Sequence, residues 1–174
     1  MIEGNGTKTP LETGHDLRVQ DQTSPEMHSG VSSPSIDRSA LILKEYQSLV
    51  GSLMYLMLST RSDLAFTIST LSKFSSAHLP IHLAAAKQVL RYLKATKTLA
   101  LSFSSKQRDA QLVGFSDSDW GSDRNDRKST SGYVFTIVGT AISWKSKKQV
   151  VVALSSTEAE YIGTSEVTRE AIWL

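Results

Sequence analysis

Cysteine is absent from this chain of 174 residues. That excludes disulfides, a thiolate nucleophile and cysteine-ligated zinc. No apolar run approaches the ~20 residues of a membrane span, so no membrane partner is expected. No charged-then-apolar leader opens the chain. Residues 1–20 are polar and carry the acids Glu3, Glu12 and Asp16. The expected compartment is therefore the cytoplasm or the nucleus. Net charge is nearly absent as well, at +2 with a pI near 8.8. Such a balance permits a nucleic-acid partner without demanding one, because local clusters matter more than the total. There is no internal repeat.

What is present fits a globular protein: 40% hydrophobic and 21% charged residues, in a length suited to one average domain or two small ones. Of the four histidines, His78 and His82 stand four apart. That is a helical metal-binding spacing. Pro80 lies between them, however, and no zinc-motif Glu or Cys follows. A structural role is the simpler expectation.

Residues 1–40 are rich in Ser, Thr, Gly, Pro and acids, with no periodic apolar face. They read as an extended or disordered linker. From residue 41 the pattern changes. Tyr46, Leu49, Val50, Leu53, Met54 and Met57 recur at threes and fours, which predicts a helix over 43–58. Ser62 can cap a second helix running to Ser75, with Leu64, Ile68, Leu71 and Phe74 as its stripe. Leu79-Pro80 opens a third, whose apolar face carries Leu83, Ala86, Val89, Leu90 and Leu93. Helices with one apolar face each bury those faces against one another, so 41–103 is expected to be a small three-helix bundle. On the third helix Lys87, Arg91, Lys94 and Lys97 share one side. A row of cations can track a phosphate backbone. The plainer reading is a solvated helix face.

Residues 104–110 form a polar connector, and after them the period falls from 3.6 to 2. Strands are expected over 111–116, 132–138 and 141–149. The second is apolar on both faces, as a central strand is, and Gly139-Thr140 marks a tight turn. On the third, Ile142 and Trp144 take one face, and Ser143, Lys145 and Lys147 the other. Ser155-Ser-Thr-Glu158 is a capping box that starts a final helix. The order over 111–174 is β-β-β-α, an antiparallel meander feeding a helix.

Two carboxylates stand out there. Asp117 ends the first strand. Glu160 lies just past the first turn of the last helix, on a face continued by Gly163, Thr164, Val167 and Ala171. That face is suited to lying on a sheet and would bury Glu160 beside the strand ends. A buried carboxylate must pair or bind metal. The run Asp117, Asp119, Asp123, Asp126 has a superficial calcium-loop look. Its fifth position is Gly121 and its twelfth Lys128, so an acidic surface turn is the better reading.

Four blocks then carry a family resemblance: Gly114-Phe-Ser-Asp-Ser-Asp-Trp-Gly-Ser-Asp123, Asp126-Arg-Lys-Ser-Thr-Ser-Gly-Tyr-Val-Phe135, Ile142-Ser-Trp-Lys-Ser-Lys-Lys-Gln149 and Ala153-Leu-Ser-Ser-Thr-Glu-Ala-Glu-Tyr161. They closely resemble the ribonuclease H region of copia-type retrotransposon Pol polyproteins. Upstream, Tyr46-Gln-Ser-Leu-Val-Gly-Ser-Leu-Met-Tyr-Leu56 and Ala85-Ala-Lys-Gln-Val-Leu-Arg-Tyr-Leu-Lys94 resemble the thumb and connection region of the same family's reverse transcriptase. Thr7-Lys-Thr-Pro-Leu-Glu-Thr-Gly14 is similar to its linker.

The resemblance implies an α+β or α/β architecture: thumb and connection helices over 41–103, then a truncated ribonuclease H-like fold over 111–174. It implies an enzyme that cuts the RNA strand of RNA–DNA hybrids with two Mg²⁺ ions held by four acids. Asp117 matches the first ligand and Glu160 the second. The hybrid, or another nucleic acid, would be the partner, with Lys145, Lys147 and Lys148 joining Lys87, Arg91, Lys94 and Lys97 as phosphate contacts. The remainder of the Pol polyprotein is the other expected partner. The departures are that the family's third and fourth acids are not found, no Asp-Asp dipeptide of a polymerase occurs, Ser62 stands where the family usually has Pro, and 22–40 is long for the linker. The expectation is a fragment inactive alone. The alternative is a non-catalytic relic or co-opted binding protein, either a nucleic-acid binder or a host-targeted pathogen effector.

Overall fold

The computed structural model describes residues 7–11, 17, 35–104 and 110–174, of which 35–40 are described by their backbone only. The expected linker over 1–40 lies mostly outside the described residues. Among the described residues four α-helices and one three-stranded antiparallel sheet make an α+β chain: α1 (Ser35–Ser59), a 3-10 turn (Ser62–Leu64), α2 (Ala65–Ser72), α3 (Pro80–Ala95), β1 (Leu112–Ser118), β2 (Thr130–Ile137), β3 (Thr140–Lys148) and α4 (Ser156–Trp173). Among the described residues no helix is long and apolar enough to cross a membrane. The chain divides into two compact units, Met1–Tyr55 with Thr70–Lys97, and Leu56–Ser69 with Thr98–Leu174.

In the first unit, helix α1 begins at Ser35, eight residues before the expected start at 43. Propagation adds a backbone hydrogen bond for each residue fixed, so a polar turn can extend a helix already nucleated. Tyr46, Val50 and Leu53 are its buried face. Leu49 and Met54 fall outside it, Met54 being 37% exposed. On α3 the buried face is Ala85, Ala86, Gln88, Val89 and Tyr92. Leu83, Leu90 and Leu93 are only half-buried, so the helix is rotated from the expected stripe. The buried phenol of Tyr46 donates to the Leu71 carbonyl at 2.8 Å, and burial pushes its pKa up to about 12.

Both histidines of the spaced pair are absorbed by packing. His78 stacks on Tyr46 at 4.7 Å and His82 on Phe74 at 3.8 Å. His82 is fully buried. Its Nδ1 accepts from the Leu79 amide at 2.9 Å, at the start of α3. Its Nε2 therefore carries the proton and donates to the Leu17 carbonyl at 2.8 Å. That bond ties one residue of the N-terminal segment to α3, a contact that the reading of residues 1–40 as an extended or disordered linker did not include.

Burial holds the His82 pKa below its usual 6.5, aided by the charge of His78 and opposed by the Leu17 bond. The unfolded chain therefore takes up the proton first. Stability is fully present above about pH 6.5 and is lost as pH falls below it. Urea midpoints are expected to drop between pH 7.5 and pH 5, and the drop should vanish in His82→Gln. Midpoints unchanged over that window would contradict the buried neutral imidazole.

Ser62 does not cap a helix. The turn it opens has Arg61 at its cap position with no side-chain cap bond. Arg61 instead forks onto Asp63, with Nε at 3.0 Å and an Nη at 2.7 Å.

In the second unit the strand order is β1-β2-β3. This makes β2 central, as its two apolar faces require, and leaves β1 at an edge. Phe115, Val134 and Trp144 lie in one register row, and Asp117, Gly132 and Ser146 in the next but one. The β2–β3 connection is Val138-Gly139, both at positive φ (54° and 73°), the pattern of a type I′ hairpin turn. The turn thus sits one residue earlier than Gly139-Thr140, and Thr140 already belongs to β3.

Helix α4 packs across β1 and β2. Half of its cap is the expected one, with the Glu158 amide donating to Ser155 Oγ at 3.1 Å, while the reciprocal bond passes over the Ser155 amide. The Glu158 carboxylate reaches the Leu154 amide at 2.7 Å. The sheet-facing side differs from expectation. Ala159 and Gly163 are buried, while Glu166 meets Lys147 and Glu170 accepts from Ser143 Oγ at 2.6 Å. Thr164 and Ala171 face solvent. Gly163 is required because a Cβ there would collide with Ser118 Oγ and come within 3.2 Å of Ser131 Oγ.

Candidate functional site

Asp117 and Glu160 arrive at the same end of β1 by different routes. Asp117 is the penultimate residue of that strand, paired across to Gly132. Glu160 projects from the first turns of α4, and its Oε1 accepts from the Ser118 amide at 3.3 Å. The two carboxylates therefore flank the last two residues of β1. Side chains alternate along a strand. Ser118 turns toward α4, against Gly163, so Asp117 leaves the opposite face.

Glu160 is exposed, not buried beside the strand ends as its helical face suggested. The cause is the edge position of β1, beside which no further element covers the carboxylate among the described residues. Asp117 is exposed too, and forms no hydrogen bond or ion pair among the described residues. Among those residues, no three His, Cys, Asp or Glu side chains gather closely enough to hold a metal.

The remaining acids of the turn are engaged in building it. Asp119 Oδ1 accepts from the Thr130 amide at 2.8 Å, and its Oδ2 from Ser122 Oγ at 2.6 Å. Asp123 and Asp126 each meet Lys148 Nζ at 2.7 Å. The bond to Lys148 holds the Asp126 carboxyl below its usual range. Burial pulls the Lys148 ammonium down, but its bonds to the two carboxylates outweigh it and the net shift is upward. Gly121, at φ 60°, closes the turn with its amide on Ser129 Oγ at 3.1 Å.

The cations divide accordingly. Lys148 is neutralised by two carboxylates and would have to abandon them to reach a phosphate. Lys147 lies 3.9 Å from Glu166, and Lys87 3.5 Å from Glu45. Lys145, Lys94 and Lys97 are exposed with no partner among the described residues. Arg91 is half-buried, and its Nε is enclosed without a bond. The reading of the sequence missed the polar web beneath α4. Ser118 Oγ donates to Ser131 Oγ at 3.0 Å, and Gln149 Nε2 reaches both Ser131 Oγ at 2.7 Å and the Ala159 carbonyl at 2.9 Å. Only the register of three strands brings these residues together.

Comparison with known proteins gives the class first: the chain belongs to the copia-type retrotransposon Pol polyprotein family. It is 47% identical over 129 residues to the retrovirus-related Pol polyprotein from transposon TNT 1-94 of Nicotiana tabacum, a match covering 74% of this chain and 10% of that one. It is 37% identical over 169 residues to that of transposon RE2 of Arabidopsis thaliana, covering 96% of this chain and 11% of that one. It is also 54% identical over 129 residues to secreted RxLR effector protein 161 of Plasmopara viticola, covering 74% of this chain and 90% of the effector. The chain thus spans about a tenth of the two polyproteins and nearly all of the effector. No family model matches, and no solved structure matches.

Proposed function

We propose that residues 111–174 are the opening part of a ribonuclease H domain and that 41–103 are the thumb and connection helices ending a reverse transcriptase. In the full polyprotein this region would degrade the RNA strand of RNA–DNA hybrids. The observation that carries the reading is the meeting of Glu160 with the Ser118 amide at the end of β1, next in sequence to Asp117, which has no partner among the described residues. The donor chemistry fits a hard cation, since Mg²⁺ takes one or two carboxylates and completes its shell with water and substrate oxygens. By the resemblance Asp117 and Glu160 would each supply a donor, although they leave the end of β1 on opposite faces. A bound ion of this kind supplies an activated water and charge compensation at the phosphate under attack. The chain's own part is to present two oxygen donors from a strand end and a helix start. The hybrid would be recognised through its shape, backbone and 2′-OH groups.

A binding measurement tests this. Among the described residues, Lys94 and Lys97 of the first unit have no partner, and neither has Lys145 of the second. Two phosphate contacts, at Lys94 and Lys97 in the first unit, would lower affinity about 12-fold between 50 and 200 mM salt. An RNA–DNA hybrid should bind more tightly than duplex DNA of the same length. Absence of binding at 50 mM salt, or affinity indifferent to salt, would remove the nucleic-acid reading. That outcome would favour the second reading, a co-opted protein acting as an effector, which rests on the 90% coverage of the Plasmopara viticola effector.

A further inference from the structure

We infer that the second unit carries a nucleobase site selective for guanine, on the face of the sheet turned away from α4. A cleft of about 580 Å³ lies there, within that unit, between the sheet and the segment that begins α2. Its volume suits a nucleotide-sized ligand. Its floor follows from the register. Phe115, Val134 and Trp144 form an apolar row, and two residues along the strands Asp117, Gly132 and Ser146 form a polar one. Gly132 has no side chain, so the polar row is hollow between the carboxylate and the hydroxyl. The Trp144 indole is fixed, because its Nε1 donates to the Met57 carbonyl at 3.0 Å. Phe66 stands over the floor from α2.

Phe66 is 53% and Phe115 59% exposed, high values for rings that line a cleft. Two phenyl rings and an indole around one hollow offer stacking surface for a flat ring, and any base has a π-face to use it. The polar row then chooses among bases. An ionised carboxylate only accepts hydrogen bonds. Among the described residues Asp117 is the carboxylate of the cleft with both oxygens uncommitted, because Asp119 is bound to Thr130 and Ser122, and Asp63 to Arg61. Guanine presents two adjacent N–H donors on its Watson–Crick edge, which a carboxylate can accept together. Adenine presents one amino group beside a ring acceptor, and uracil one N–H between two carbonyls, which a carboxylate repels. The site needs no metal. Because both readings use Asp117, a metal bound there would compete with the base.

The test is a titration of the 174-residue chain with GMP and with AMP in EDTA, followed by tryptophan fluorescence and by calorimetry. GMP is expected to bind about 10-fold more tightly than AMP. Phe115→Ala and Phe66→Ala should each weaken GMP about 10-fold, in the range of one lost stacking contact. Phe66→Ala lies outside the sheet and serves if the strand variant does not fold. Asp117→Asn should erase the preference for GMP over AMP. Equal affinity for the two nucleotides, or GMP binding untouched by the phenylalanine variants, overturns the inference. Adding Mg²⁺ separates the two readings. Displacement of GMP from the wild-type chain supports a metal at Asp117, and its absence counts against the metal alone.

Discussion

Mixed with an RNA–DNA hybrid and Mg²⁺, the 174-residue chain is expected to leave the RNA strand intact. The two-ion mechanism needs converging carboxylates that clamp both the attacking and the leaving oxygen. Asp117 and Glu160 are two donors, and one Mg²⁺ shared with water already consumes both. Glu160 also spends part of its acceptor capacity on the Ser118 amide, and among the described residues no third acid joins them. Labelled RNA run on a denaturing gel should match the enzyme-free control. In a longer polyprotein that contains this region, Asp117→Asn should cost about a hundredfold or more in rate, the scale of losing a main electrostatic stabiliser. Cleavage by the 174-residue chain that disappears in Asp117→Asn would sink the first expectation and show that two acids suffice.

Much of the chain was legible because local patterns and tertiary demands agree. Tyr46, Val50 and Leu53 recur at helical spacing and are buried. The apolar run of β2 reads as central and is central. Ser155 and Glu158 cap a helix wherever that string occurs, since the bonds are local. The failures share a cause. The face of α4 was chosen by counting small and apolar residues, yet Glu166 and Glu170 turn toward the sheet because Lys147 and Ser143 wait there. Polar contacts across elements have no periodicity to announce them. Ser62 looked like a cap because its neighbourhood was read as one helix, whereas Arg61 and Asp63 close a separate turn. Of the candidate site, only the choice of residues was open to the sequence. The identities of Asp117 and Glu160 came from the sequence blocks, while their exposure follows from β1 being an edge, a property of topology alone.

Gly163→Val should be among the most damaging single changes in the second unit. Gly163 is buried where α4 crosses the sheet, and a Cβ there would run into Ser118 Oγ and crowd Ser131 Oγ at 3.2 Å. A flexible hydroxyl could ordinarily swing aside. Here Ser118 is bonded to Ser131, and Ser131 to the buried Gln149, so moving one disturbs all three. Overpacking costs roughly 1–3 kcal/mol, and each disrupted buried hydrogen bond adds about 1 kcal/mol. A loss of about 2–4 kcal/mol, read from urea midpoints, is expected. Lifting α4 would also draw Glu160 from the Ser118 amide, so that amide's NMR shift should change in step. Gly51, exposed on α1, is the control. A Cβ there meets nothing within 4 Å, and Gly51→Ala should stabilise by up to about 1 kcal/mol through helix propensity. If both substitutions moved stability in the same direction, the close approach of α4 to the sheet would not be the reason for glycine at 163.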